Sequence, residues 1–360
     1  MTGANPTRPV LVTIRARSDP GRTRDHNEDF FAIADLGPDR DLARSGPHRL
    51  DQQGTVFLVA DGMGGAAAGE LASSMAGNSI VAHFTRAWTA EADPTPERFV
   101  ALLEEAVEHA NAELHAYAKE HPEVRGMGTT ATVAGVLGDR LYMAQVGDSR
   151  GYLVRDGVAT QLTKDQSLMQ RLVDAGELTE EEAAQSERRN IILQALGPDP
   201  RIRVALTWQE LQRGDTLVMC SDGLSGQVSR EEIAAAVKEA PNLDRLCEEL
   251  IALANQRGGP DNITVVVARF EGEGLPPHRP SGDVGYHALN GDSGESEIPV
   301  SPDPSGALPE APAGPDQAVQ PAPTHPAARP ARRSGSPATI AVITVSVLGL
   351  LVLLYLLLRD

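Results

Sequence analysis

Apolar residues recur with two different periods through the first 270 positions of the chain. A period near two, rich in Val and Ile and bounded by turn residues, predicts strands at Val10 to Arg17, Phe30 to Ala34, Thr55 to Ala60, Thr130 to Leu137, Leu141 to Val146, Gly151 to Val154, Arg201 to Thr207, Thr216 to Cys220 and Ile263 to Phe270. Asp156-Gly157 is a hairpin signal that adds Val158 to Leu162. A helical period predicts two long amphipathic helices, Ala67 to Trp88 and Pro96 to Glu120. Shorter ones follow at Gln166 to Ala175, Glu180 to Ser186, Arg230 to Lys238 and Leu243 to Gln256. Strands in consecutive hairpins with helices in pairs predict α+β layers, not a βαβ alternation. The lack of any G-x-G-x-x-G or G-x-x-x-x-G-K run agrees.

The pattern stops near Phe270. Between Glu271 and Pro337 no hydrophobic period persists, and 14 of the 26 prolines fall there among Gly, Ser, Ala and Asp. That composition predicts a disordered linker over 271–337, so a chain cut near Phe270 is expected to stay soluble and active. Ala338 to Leu358 are then 21 uncharged positions. As a helix they reach about 30 Å, the hydrocarbon thickness of a bilayer. Arg329, Arg332 and Arg333 precede the run and only Arg359 and Asp360 follow it, so the expectation is a tail-anchored protein with its folded part in the cytoplasm. Met1 to Pro9 lack the charged-then-apolar run of a secretory signal.

Net charge narrows the partners. At −18 the chain is a poor match to nucleic acid, which is bound largely through Lys and Arg, and a good match to cations. Only two cysteines, Cys220 and Cys247, are present, too few for a disulfide framework or a cysteine-based zinc site. Apolar residues make up 41% of the chain, which excludes a wholly disordered protein.

The candidate chemistry lies in acids at strand ends. Asp61 closes the apolar run Val56 to Ala60 and is followed by Gly62-Met63-Gly64-Gly65. The same grammar recurs in Val146-Gly147-Asp148-Ser149-Arg150 and Met219-Cys220-Ser221-Asp222-Gly223. Asp261-Asn262 opens a strand after Gly258-Gly259-Pro260, and Asn27-Glu28-Asp29 precedes another. One Asp-Gly pair reads equally well as a turn. Several strand-end acids together repel one another, and a hard divalent cation such as Mg²⁺ or Mn²⁺ relieves that repulsion. His83, His109, His115 and His121 are spread over helical segments, which reads as packing or surface, not a zinc site. Two such cations suit in-line attack of water on phosphorus, with a planar Arg as partner for the phosphoryl oxygens. Arg24, five positions before Asp29, is the candidate.

These residues resemble the metal-dependent Ser/Thr protein phosphatases of the protein phosphatase 2C (PPM) type, bacterial branch. The matching pieces run in family order: Ser18 to Gly21 with Arg24 and Asn27-Glu28-Asp29, Asp61 to Gly65 with Gly69-Glu70, Gly128-Thr129-Thr130, Val146 to Arg150, Ser221 to Leu224 and Asp261 to Thr264. The resemblance covers about residues 10 to 270 and implies an αββα sandwich of two packed β-sheets between helix pairs. It also implies two Mn²⁺ or Mg²⁺ ions. Asp61 bridges both, Asp222 and Asp261 hold the first, and Glu28 with the Gly62 carbonyl holds the second. Asp29 then orients the attacking water, Arg24 holds the phosphate, and Asp148 with Asp222 takes a weaker third ion. Phosphoserine and phosphothreonine proteins are the implied substrates, by direct attack without a phosphoenzyme, and a membrane Ser/Thr kinase is the implied counterpart. Two positions depart from the family. Met63 stands where some eukaryotic members have a His, and a thioether cannot protonate a leaving alcohol. Gln166 stands where bacterial members usually have His, at the start of a segment, about Asp165 to Gly197, that resembles their mobile flap. The competing readings are a catalytically silent phosphoprotein-binding scaffold and, against the charge, a nuclease.

Overall fold

The computed structural model describes residues 9–36, 47–50, 53–279 and 283–289. The strand β12 (Ile263–Glu271) shows how its layers arise. Val266, Ala268 and Phe270 enter one buried cluster, whereas Ile263, Val265 and Val267 enter another. A strand apolar on both faces has to lie between two layers. β12 pairs antiparallel with β1 (Val10–Asp19) and β11 (Thr216–Cys220). That sheet continues through β8 (Arg150–Arg155) to β9 (Val158–Gln161), and past β1 to the short β3 (His48–Leu50).

A second antiparallel sheet has the order β10 (Ala205–Glu210), β7 (Arg140–Val146), β6 (Ala131–Leu137), β4 (Thr55–Met63) and β2 (Asp29–Asp35). The two-residue β5 (Gly128–Thr129) pairs with the end of β4. Phe57 and Val59 of β4 face the first sheet, against Leu217, Met219 and Phe270, while Val56, Leu58 and Ala60 face outward. The outward face is covered by α1 (Ala66–Thr89) and α2 (Pro96–Glu120). Ala68, Ala72, Ala76, Ile80, Phe84 and Trp88 recur every fourth residue on the buried side of α1. α2 starts where Thr95 accepts a hydrogen bond from Arg98 N–H at 3.2 Å, with Pro96 in the first turn.

On the far side, α6 (Arg230–Glu239) and α7 (Leu243–Gln256) cover the first sheet. The expected α+β sandwich of helices, sheet, sheet and helices is therefore the observed one. The described residues all fall within one compact unit. An excursion between β9 and β10 carries α3 (Leu168–Asp174) and α4 (Glu180–Gln185), and α5 (Asp222–Ser225) is a single turn after β11. Both cysteines are buried and free.

Two expectations are corrected. The strand expected over Arg201 to Thr207 lies at Ala205–Glu210. Gln194 occupies the backbone N–H and carbonyl of Arg203, so those groups are not offered to a ladder. Nor does the folded part stop near Phe270. Leu275 is 2% exposed, Arg213 N–H donates to the Pro276 carbonyl at 3.0 Å, and residues 283–289 run along β10. There Trp208 N–H donates to the His287 carbonyl at 3.0 Å and Leu289 N–H to the Leu206 carbonyl at 2.9 Å, which covers a sheet edge. The run Ala338 to Leu358 lies outside the described residues. Among the described residues no helix is long and apolar enough to cross a membrane.

Candidate metal centre

Antiparallel pairing puts the start of one strand beside the end of the next, so acids at starts and at ends gather at one end of the sandwich. Asp29, first in β2, stands opposite Asp61, near the end of β4. Cys220 stands opposite Arg150, which brings Asp222 and Asp148 to the same end of the β11–β8 pair. Asp19 stands opposite Ile263, so Asp261 arrives there too. The field at Asp61 includes Asp29, Asp222, Asp148 and Asp261. Five segments distant in sequence thus meet around one carboxylate.

The electrostatics show what the gathering costs. Burial, then the charges of Asp29 and Asp222, push the Asp61 carboxyl well above the usual carboxylate range. Burial raises Asp29 to about 7 and Asp148 to about 8, with Asp222 adding to both. Asp222 is raised by burial and by the charge of Asp261. Burial also raises Glu28, with Arg24 opposing. Asp29 Oδ1 and Asp148 Oδ1 are buried without a partner. Arg24 Nη2 donates to Asp261 Oδ2 at 2.8 Å, and that bond raises the guanidinium pKa.

The loops are aimed by neutral side chains. Asn262, 4% exposed, accepts from Glu28 N–H at 2.8 Å and donates to the carbonyls of His26 at 2.8 Å and Pro20 at 3.1 Å. It thereby ties the loop bearing Arg24 and Glu28 to the root of β12. Ser221 Oγ donates to Asp29 Oδ2 at 2.7 Å. Thr130 Oγ1 accepts from Asp61 N–H and meets Ser149 Oγ, both at 2.9 Å. Thr130, Ser149, Ser221 and Asn262 sit in the sequence motifs but received no role there. For Ser149, Ser221 and Asn262 the signal was a small polar residue directly beside an acid; Thr130, beside no acid, had none.

Comparison with known proteins decides the family. A family model described as Protein phosphatase 2C matches residues 38–264. The chain belongs to the protein phosphatase 2C family. Serine/threonine phosphatase stp of Listeria innocua is 37% identical over 252 residues, which are 70% of this chain and 93% of that protein. Serine/threonine protein phosphatase PstP of Mycobacterium tuberculosis is 39% identical over 260 residues, 72% of this chain but 45% of that protein, so the chain spans less than half of this relative's length. The crystal structure of the PstP catalytic domain in complex with two manganese ions superposes with a TM-score of 0.59 at 38% identity, covering 73% of this chain and 99% of that one.

Does this member of the protein phosphatase 2C family have residues that fit such ions? Among its described residues no three His, Cys, Asp or Glu side chains form a ready-made cage. The donor set fits nonetheless. Every candidate is an oxygen, as hard cations require, two carboxylate oxygens are buried and unpartnered, and the Asp61 and Asp148 carboxyls, raised first by burial and then by neighbouring acids, are ones a bound cation would ionise. The backbone has also been cleared for close approach. A Cβ on Gly69 would overlap Glu28 Oε2, and one on Gly62 would overlap the carbonyls of Gly69 and Glu28. His115 Nδ1 instead meets the Gly197 carbonyl at 2.9 Å, and the His83 and His109 rings pack at a tilt with centroids 4.4 Å apart, in keeping with a packing role.

Proposed function

We propose that this chain is a metal-dependent phosphatase of phosphoserine and phosphothreonine proteins. The observation that carries the reading is the convergence of Asp29, Asp61, Asp148, Asp222 and Asp261 at one end of both sheets, with the first four carboxyls raised by burial and by neighbouring acids. Asp61, Asp222 and Asp261 would hold one cation, Asp61 with Glu28 and the Gly62 carbonyl a second, and Asp148 with Asp222 a weaker third. When bound, two such ions lower the pKa of a water and neutralise charge on the phosphoryl oxygens.

The rest falls to the protein. Arg24, tied by one Nη to Asp261, keeps the other donors of its planar fork for phosphate oxygens. Asp29 Oδ2 is fixed by the Ser221 hydroxyl, which leaves Oδ1 as the acceptor that can orient the attacking water and take its proton. Ser221 and Asn262 hold these groups still, so little rearrangement is needed as charge moves to the leaving oxygen.

Phosphate release from a phosphothreonine peptide, dependent on Mn²⁺ or Mg²⁺ and abolished by Asp222→Asn, is the expected result. Release that survives chelation would reject the metal role. Peptide binding without release would favour a silent scaffold of the same fold.

The same proposal extends to location. The uncharged run Ala338 to Leu358, with Arg329, Arg332 and Arg333 before it, supports a membrane anchor that leaves the catalytic domain in the cytoplasm, joined by a Pro-rich tether and opposing a Ser/Thr kinase at that membrane. Extraction by detergent but not by high salt is expected. A full-length chain that stays in the soluble fraction rejects the anchor.

A further inference from the structure

The excursion between β9 and β10 stands on two feet, one on the backbone next to Asp148 and one on a threonine hydrogen-bonded to the Asp61 carbonyl. At the first, Gln166 N–H donates to the Gly147 carbonyl and Gly147 N–H donates to Gln166 Oε1, both at 2.9 Å. Gly147 immediately precedes Asp148, whose Oδ1 is buried and unpartnered. At the second, Leu196 and Thr129 exchange backbone hydrogen bonds of 2.9 and 3.1 Å. The Thr129 hydroxyl then donates to the Asp61 carbonyl at 2.9 Å.

Side-chain amides close the neck between the feet. Leu193 N–H donates to the Gln166 carbonyl at 2.8 Å, and Gln194 Nε2 donates to Gln166 Oε1 at 2.9 Å and to the Arg203 carbonyl at 2.7 Å. Buried Gln145 donates to the carbonyls of Gly147 at 3.2 Å and Ser149 at 3.1 Å, and accepts from Lys164 N–H at 3.1 Å. Amides supply donors and acceptors without net charge, so they order this turn without adding to the repulsion among the acids.

We propose that Gln166 is a positioning residue. It clamps the turn Gly147-Asp148-Ser149 to the neck of the excursion, so the aim of Asp148 follows where the excursion sits. Gln166 Oε1 is the shared atom, accepting from Gly147 on the site side and from Gln194 on the excursion side. The consequence for metal rests on the function proposed above; the clamp itself does not.

The test uses the full chain in two arms. In metal-free protein, Gln166→Ala speeds hydrogen exchange of the 147–149 amides about tenfold, with exchange around Arg155 and Asp215 unchanged and Tm held to within about 2 °C. Gln166→Glu keeps an oxygen for the Gly147 N–H but loses the amide donor and adds charge, so it restores that protection only in part. Gln194→Ala shifts exchange in the same direction by less. In the second arm Mn²⁺ is titrated during aryl phosphate hydrolysis. Gln166→Ala raises the half-saturating Mn²⁺ concentration about tenfold and leaves kcat at saturation in place. Unchanged exchange at 147–149, or faster exchange everywhere with a fallen Tm, overturns the clamp. Loosened exchange with an unchanged Mn²⁺ dependence overturns its transmission to Asp148. A wild-type chain with no phosphatase activity but with the local exchange change keeps the clamp and rejects the proposed function instead.

Discussion

The two ends of the first sheet bury carboxylates in opposite ways. At the end where β8 finishes, Arg155 grips Asp215 through Nε and Nη2 at 2.8 and 2.7 Å, and the two side chains are 5% and 2% exposed. Gln212 N–H donates to the same carboxylate at 2.7 Å and Arg155 also reaches the Glu210 carbonyl, so the pair is hydrogen-bonded almost completely. At the end where β8 begins, Asp61, Asp148 and Asp222 lie close together with their pKa values raised, and Arg24 and Arg150 are committed to Asp261 and Asp165. The fold can supply a matched cation where it needs one. Leaving charge unmatched at the other end stores an unfavourable interaction that a bound cation relieves.

The contrast is sharpest in Asp222→Asn, which should lower phosphate release at least about 100-fold while raising the Tm of metal-free protein by about 2–4 °C. A fall in both would mean that Asp222 is structural. Arg155→Met should do the reverse. It strands Asp215 and costs about 3–5 kcal/mol by denaturant unfolding, with activity per folded molecule retained, and Arg155→Met with Asp215→Leu should recover much of the loss.

The tail past Phe270 seals the paired end, since Arg279 N–H donates to Gln212 Oε1 at 2.9 Å and Arg213 N–H to the Pro276 carbonyl. Truncation after Phe270 should therefore cost more than the roughly 1.5–3 kcal/mol of burying Leu275, whereas truncation after Leu289 should be nearly neutral. Equal stability of the two fragments would show the tail to be a passive passenger.

The smallest effect is in pH. Asp29 and Asp148 titrate near 7 and 8 in the folded protein, against an ordinary value of 3.8, so the folded state holds protons that the unfolded state has released. Stability of metal-free protein should then be fully present below about pH 4 as far as these groups are concerned, and be lost as pH rises through 7 to 8. Saturating Mn²⁺ should flatten that slope in Tm measured from pH 5 to 9. A slope of equal size with and without Mn²⁺ would separate the acids from the metal.

Most of this arrangement was legible in the chain. The helix over Pro96–Glu120 was expected with the bounds observed, because Thr95, Pro96 and the recurrence of Phe99, Leu102, Leu103, Ala106 and Val107 are local signals. Asp61 and Asp222 were marked by apolar runs ending in an acid and a glycine. β10 was misplaced because its position depends on Gln194, eleven residues before it, capturing the Arg203 backbone. The packing of Leu275 and residues 283–289 was hidden by a Pro-rich composition that resembles a linker, although a few apolar residues suffice to cover one sheet edge.

Sequence alone determined most of the longer helices and strands, which of their faces are apolar, and that acids stand at strand ends, since each of these follows from a period or a neighbour within a few residues. Only the tertiary structure decided that the acids share one end and one field, that Arg24 is held by Asp261, and that Gln166 joins the excursion to the Asp148 turn. Those outcomes depend on strand order and on contacts between segments from 19 residues apart, as for Gly147 and Gln166, to the 237 that separate Arg24 from Asp261, and no local pattern encodes them.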